Sequence, residues 1–196
     1  MKSESQKRRP KLILGSTSPR RQNLLRDAGV EFVVIESGAA ENSLPGEPAG
    51  DFALRMAREK ALEVSRNAPD DLVLAADTVV EIDGDILGKP EGPAQARAML
   101  RRLSGHTHTV ITAFALARQN FIAESMSIRS RVTFRELTDD EIDAYIASGE
   151  PFDKAGAYGI QAKGADFIVR VDGSYTNVMG LPVDEVLAAL RHQGVI

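Results

Sequence analysis

The 196-residue chain contains no cysteine. This excludes disulfides, thiolate nucleophiles and zinc sites built on Cys, and it fits a reducing cytoplasm. Aromatic residues make up 5% of the sequence and the net charge is −4. Few rings are therefore free to stack on bases, and nothing global offsets a polyphosphate backbone, so a nucleic-acid partner is not expected. No apolar run approaches the ~20 residues a membrane helix needs, and "MKSESQKRRPK" lacks the apolar centre of a signal peptide. No membrane partner is expected either. Repeats, low-complexity tracts, a P-loop, a dinucleotide fingerprint and a nucleophile elbow are all missing.

What remains is a cytoplasmic globular protein of ordinary composition, 43% hydrophobic and 27% charged. Residues 1–11 are expected to be a solvated basic tail and 12–196 one continuous domain. "KLILG" is a short buried strand, and Ser18, Pro19 and Gly29 mark the ends of the helix that follows. "EFVVIE" is a second strand. After a Gly- and Pro-containing loop, residues 51–67 carry helical periodicity. "DLVLAAD" is a third strand, and "TVVEIDGDILGKP" a hairpin turning at Asp83-Gly84-Asp85. A helix ends at Gly105. Residues 107–135 alternate as two antiparallel strands around Gln119-Asn120, and Thr138 caps another helix. "DFIVRVDG" and "PVDEVLAALRHQG" supply the last strand and helix. The order predicts an α/β fold with a mixed sheet.

The chemistry concentrates at chain corners. In "LILGSTSPRRQNLL" the free amides of a strand-to-helix corner attract anions, and Ser16 and Ser18 add donors. Arg20 and Arg21 lie in the first helical turn, where acidic residues are normally favoured. They oppose the helix dipole unless an anion arrives, and their planar forks suit phosphate oxygens. Asp77 ends an apolar strand, where a carboxylate can ligate Mg²⁺ or accept a proton from water. It also reads as a turn cap. Thr78 reads as packing or as a substrate contact. Lys89, fixed by Pro90, is a phosphate ligand or a surface residue. Lys60 beside an apolar stripe reads as a snorkelling side chain. Glu41 sits in a loop of small residues. His106 and His108 in "GHTHTV" read as edge or surface residues, and His192 as a helix C-terminal partner.

Taken together, "GSTSPRRQNLL", "AREKA", "ADTVV", "ILGKP", "LSGHTHTVITAFAL", "TDDEIDAYIASGEPFDKAGAYGIQAKGA" and "GSYTNVMGLP" occur in an order that resembles the Maf-type nucleoside triphosphate pyrophosphatases. The resemblance implies a bent mixed sheet flanked by helices around a central cleft, like that of the inosine-triphosphate pyrophosphatases. It implies hydrolysis of a nucleoside triphosphate to the monophosphate and pyrophosphate with a divalent cation, Mg²⁺ or Mn²⁺. Ser16, Arg20 and Arg21 match the family's phosphate-binding corner, Lys60 and Lys89 its phosphate-pairing lysines, and Asp77 its catalytic acid residue. Glu41 aligns with a metal-binding Glu, with Asp77 as the second ligand. Ala40 stands where the family carries an acidic residue, leaving Glu36 and Asp51 as other carboxylates nearby. Thr78, Gln161 and Arg20 occupy the positions of the branch acting on dTTP and UTP. A homodimer is open beside a monomer. A rival reading is a nucleotide sensor acting in division control, with hydrolysis incidental.

Overall fold

The computed structural model describes residues 11–196, so the expected basic tail up to residue 10 lies outside the described residues. The strands are β1 (Leu12–Leu14), β2 (Val33–Val34), β3 (Leu72–Ile82), β4 (Asp85–Leu87), β5 (Thr107–Arg118), β6 (Phe121–Phe134) and β7 (Ile168–Asp172). The helices are α1 (Pro19–Asp27), α2 (Ala49–Asn67), α3 (Pro93–Leu103), α4 (Asp139–Ala147), α5 (Tyr175–Met179) and α6 (Val183–His192). One seven-stranded sheet runs β2-β1-β3-β5-β6-β7, with β4 added to β3. The β2–β1–β3 part is parallel and the remainder antiparallel, as the mixed α/β reading requires.

Two faces of the sheet are filled by different helices. The apolar stripe of α2 (Phe52, Ala53, Met56, Ala57, Ala61, Val64) buries against Val73, Ala75, Ala113, Ala115 and Ala117. Small residues on both sides let the helix axis come close to the strands. The other face carries Leu24 and Leu25 of α1 and Val186, Ala189 and Leu190 of α6 over Leu72, Leu74 and Phe114. Because strand side chains alternate, Val73, Ala75 and Val79 of β3 face α2, while Leu72, Leu74 and Ala76 face α1 and α6. A third cluster joins α3 and α4 to the ends of β5 and β6 through Leu100, Phe134, Tyr145 and Phe167.

Several expectations are refined. β3 does not stop at Asp77 but runs on to Ile82, 11 residues in all, and itself forms the first arm of the hairpin. The turn is the pair Asp83 and Gly84, both at positive φ, which matches the right-handed strand twist. Only Val33–Val34 of the second expected strand pairs, and α2 starts at Ala49. Ser18 occupies the N-cap of α1 without a capping hydrogen bond, whereas Thr138 forms a full capping box with Glu141. "GSYTNVMGLP" holds the short helix α5, capped by Ser174.

His108 is the clearest correction. It lies on β5, which is flanked by β3 and β6, and is only 2% exposed. Its Nε2 is 2.6 Å from the Tyr158 hydroxyl, and Phe134 and Tyr158 meet the imidazole edge-on. His106 precedes the strand and stays at the surface. Burial pulls the His108 pKa down to about 4. The folded protein thus keeps His108 neutral while the unfolded chain takes up a proton below about 6.5. Stability contributed here is full above pH 6.5 and drains as pH falls toward 4, by about 3 kcal/mol in all. Denaturant melts of the wild type and His108→Gln between pH 4 and 7 are expected to show a pH slope in the first that is reduced in the second.

Candidate active site

The site forms where the sheet splits. On one edge of β3, β1 pairs only as far as Leu74, and β4 pairs only from Val80 onward. Among the described residues, no strand covers that edge between 75 and 79, while β5 covers the opposite edge throughout. Asp77 and Thr78 sit in this opening. Gly15, at the end of β1, donates its N–H to Leu74 O and turns the chain away, so Ser16 and α1 begin beside the gap.

Alternation sends the two neighbours to different partners. Asp77 faces α2, where the Lys60 ammonium lies 2.6 Å from Asp77 Oδ1 and 2.6 Å from Glu41 Oε1. Lys60 does not snorkel outward; it is 8% exposed, and Asp77 is 6% exposed. Lys89, on the exposed stretch after β4, stands 3.9 Å from Glu41 Oε2. Partial burial pushes the Glu41 carboxyl upward, but the hydrogen bond and charge of Lys60, with Lys89 and Arg21, outweigh it and hold the group below the usual carboxylate range. A buried ammonium donates to two carboxylates and keeps one N–H uncommitted in this arrangement.

Thr78 faces α1. Arg21 donates from Nη2 to Thr78 Oγ1 (3.1 Å), from Nη1 to Ser16 Oγ (3.2 Å) and from Nε to Gly180 O (2.8 Å). Burial pulls the Arg21 pKa downward, and the charges of Asp77 and Glu41 oppose that shift. The Arg21 guanidinium therefore feels both carboxylates although it contacts the other face of β3. Gly180, at a φ of +113° after α5, brings its carbonyl and Cα close to Arg21 and Thr78.

Arg20 points elsewhere. Its Nη1 meets Asp153 Oδ2 at 2.8 Å and its Nη2 meets Asp153 O at 3.3 Å, while Lys154 Nζ binds Asp153 Oδ1 at 2.6 Å. The Lys154 stem covers Gly159, in the loop that carries the exposed Gln161. Tyr145 Oη accepts from Gly159 N, and Gly164 presses against Gly159 O so closely that no Cβ fits. Arg20 and Gln161 are thus linked through Asp153 and Lys154 rather than by contact.

The Glu41 loop is fastened to α2 at both ends. Glu63 accepts from Ser37 Oγ and Gly38 N. Arg55 holds Glu47 with Nε and Nη2, each at 2.7 Å, and Asn42 O with Nη2 at 2.9 Å. Ala40 is exposed, as are Glu36 and Asp51. The clasping residues Arg55 and Glu63 share α2 with Lys60; their helical spacing was the available signal, but a charged helix face reads as solvated. Thr112, which bonds Thr78, and Asp153 were also missed.

A family model described as Maf-like protein matches residues 11–193. A dTTP/UTP pyrophosphatase of Methylococcus capsulatus is 50% identical over 186 residues, spanning 94% of this chain and 92% of that protein. A dTTP/UTP pyrophosphatase of Geotalea uraniireducens is 47% identical over 188 residues, spanning 94% of this chain and 96% of its own length. Among solved structures, a HAM1 protein from Coxiella burnetii aligns with 93% of this chain and 99% of its own at 15% identity and a TM-score of 0.47. The chain belongs to the Maf-like protein family.

Removing Lys60 leaves the Asp77 carboxylate buried without its counter-charge. Lys60→Met is expected to lower unfolding free energy by about 3 kcal/mol, and Lys60→Met with Asp77→Asn by clearly less, in a urea-melt double-mutant cycle. Additive losses would show that the pair is not coupled.

Proposed function

We propose that this Maf-like protein hydrolyses dTTP and UTP between the α- and β-phosphates, releasing the nucleoside monophosphate and pyrophosphate in the cytoplasm. One observation carries the reading. A nearly buried carboxylate, Asp77, stands at a gap in the sheet among cationic groups brought by three separate segments: Arg21 from α1, Lys60 from α2 and Lys89 after β4. Relatives of nearly full-length similarity that bear the name dTTP/UTP pyrophosphatase support the substrate class.

No helix among the described residues is long and apolar enough to cross a membrane. A divalent cation is the cofactor that the family likeness implies. Among the described residues there is no group of three or more acidic or histidine side chains able to cage a metal. Asp77 and Glu41 nevertheless converge on one cationic point, at present the Lys60 ammonium. Two hard carboxylates suit Mg²⁺ or Mn²⁺, whose remaining positions are filled by water and substrate phosphates. The residues fit, with Asp77 and Glu41 as holders. Bound there, the cation would offset charge developing on the phosphate oxygens.

The chain's own groups do the rest. Arg21 has five donors and uses three within the protein, leaving one N–H on each terminal nitrogen to meet phosphate oxygens. Lys60, beside the two carboxylates, and Lys89, whose side chain is 60% exposed, carry N–H donors for the same phosphate oxygens. Ser16 Oγ already accepts from Arg21 and Ser18 N, so its hydroxyl proton is directed outward. Asp77 orients a water and takes its proton as the water oxygen bonds to the α-phosphorus, and the bond to the β-phosphate bridging oxygen breaks. Pyrophosphate leaves among cations. Thr78, Gln161 and Arg20 tune the preference for pyrimidine triphosphates.

Purified protein incubated with single triphosphates and Mg²⁺ or Mn²⁺ is expected to release pyrophosphate from dTTP and UTP in preference to ATP, assayed apart from orthophosphate. Orthophosphate as the sole product would overturn the proposal. Asp77→Asn is expected to retain nucleotide binding, measured by calorimetry, while turnover falls by about 10²–10⁴-fold.

A further inference from the structure

We infer that Thr112, a fully buried residue of β5, is a positioning residue that sets the phosphate-facing geometry of Arg21 through Thr78; the inference rests on the function proposed above. Thr112 is 0% exposed, too deep to touch any ligand itself. Its Oγ1 donates to Asn177 O at 2.8 Å, the shorter of its two hydrogen-bond contacts. A hydroxyl has one proton. At the 2.9 Å contact between Thr78 Oγ1 and Thr112 Oγ1, Thr78 must therefore be the donor. Thr78 Oγ1 in turn accepts from Arg21 Nη2. The relay so assigned runs from Arg21 to Thr78 to Thr112 to the Asn177 carbonyl.

Asn177 is itself held by its side-chain amide. It is 0% exposed, and its Nδ2 donates to Val110 O at 3.1 Å and to Ser130 Oγ at 3.0 Å. The relay therefore ends on a carbonyl locked to β5 and β6. Two things follow for Arg21. Its guanidinium plane is pinned at three atoms, by Ser16, Thr78 and Gly180, so the two remaining N–H groups have one direction. Thr78 also has its proton committed, which leaves its oxygen an acceptor only and keeps it from competing with Arg21 for a phosphate oxygen.

Loss of the Thr112 hydroxyl disturbs this at a defined place. Among the described residues the Thr78 proton has one other acceptor in reach, Gly180 O at 3.5 Å, which is the same carbonyl that Arg21 Nε uses. Turning toward it brings Thr78 into competition with Arg21 and loosens the fork. Since the fork grips phosphates before and during reaction alike, the effect falls on binding rather than on the chemical step.

The test compares Thr112→Val, which keeps shape and loses the hydroxyl, with Thr112→Ser, which keeps the hydroxyl. With dTTP as substrate, Thr112→Val is expected to raise KM about tenfold and weaken inhibition by added pyrophosphate in parallel. Its kcat should stay within about twofold and Thr112→Ser close to the wild type. Should Thr112→Val not fold, judged by thermal melting, Thr112→Cys carries the same comparison with a weaker donor. A Thr112→Val enzyme with wild-type KM, or one that loses kcat at constant KM, overturns the inference. Absence of pyrophosphate release by the wild type instead overturns the proposed function, so the two failures are told apart.

Discussion

The ammonium of Lys60, shared between Asp77 and Glu41, is the contact on which the rest of the site depends. An unpaired charge at this depth is strongly disfavoured, so Lys60 and Asp77 require each other. Their pairing fixes the rotation of α2 over the sheet, because Lys60 belongs to the same buried stripe as Met56, Ala57 and Ala61. It also fixes where the loop before α2 comes to rest. Glu41 completes the ammonium's shell only because Arg55 and Glu63, on that same helix, fasten the loop on either side of it. One helix thus supplies the cation, the clasp and much of the apolar face beneath them.

The break in the β3 ladder explains why neighbouring residues share a site while belonging to opposite faces. Asp77 is served by α2 and Thr78 by α1, yet both lie at the same opening, so cationic groups from the two layers act on one place. Neither helix alone surrounds a triphosphate. The split lets groups from both sides of the sheet approach one point without a long loop, using only the alternation of a strand.

Much of this was legible in the sequence, and what was hidden had physical reasons. Arg20 and Arg21 stand out because basic residues in a first helical turn oppose the helix dipole, and Asp77 because it ends an apolar strand. The capping box at Thr138 and the paired strands around Gln119-Asn120 were visible as patterns of fixed spacing. The surroundings of Lys60 in the sequence read as those of a snorkelling lysine, because a lysine beside an apolar stripe usually reaches for water, and only the fold shows the two carboxylates it meets. Beside a turn, His108 reads as an edge or surface residue, but β5 has partners on both sides. Thr112 and Gly180 left no signal. A threonine in an alternating strand reads as an ordinary strand former, and a backbone carbonyl has no side chain to notice. The continuity of β3 was obscured by Asp77 itself, which interrupts the apolar run that marks a buried strand.

The stretch of β3 between residues 75 and 79, unpaired on one edge yet largely buried, also bears on self-association. Unpaired strand edges invite other chains to add on and begin aggregation. Here the open stretch is recessed between β1 and β4, which end at Leu74 and begin at Val80, so an incoming strand meets an obstruction at either end. The outer edges are guarded differently: β2 pairs over 2 residues, and β7 carries Arg170 and Asp172. The gap in the β3 ladder therefore offers no continuous template for self-association.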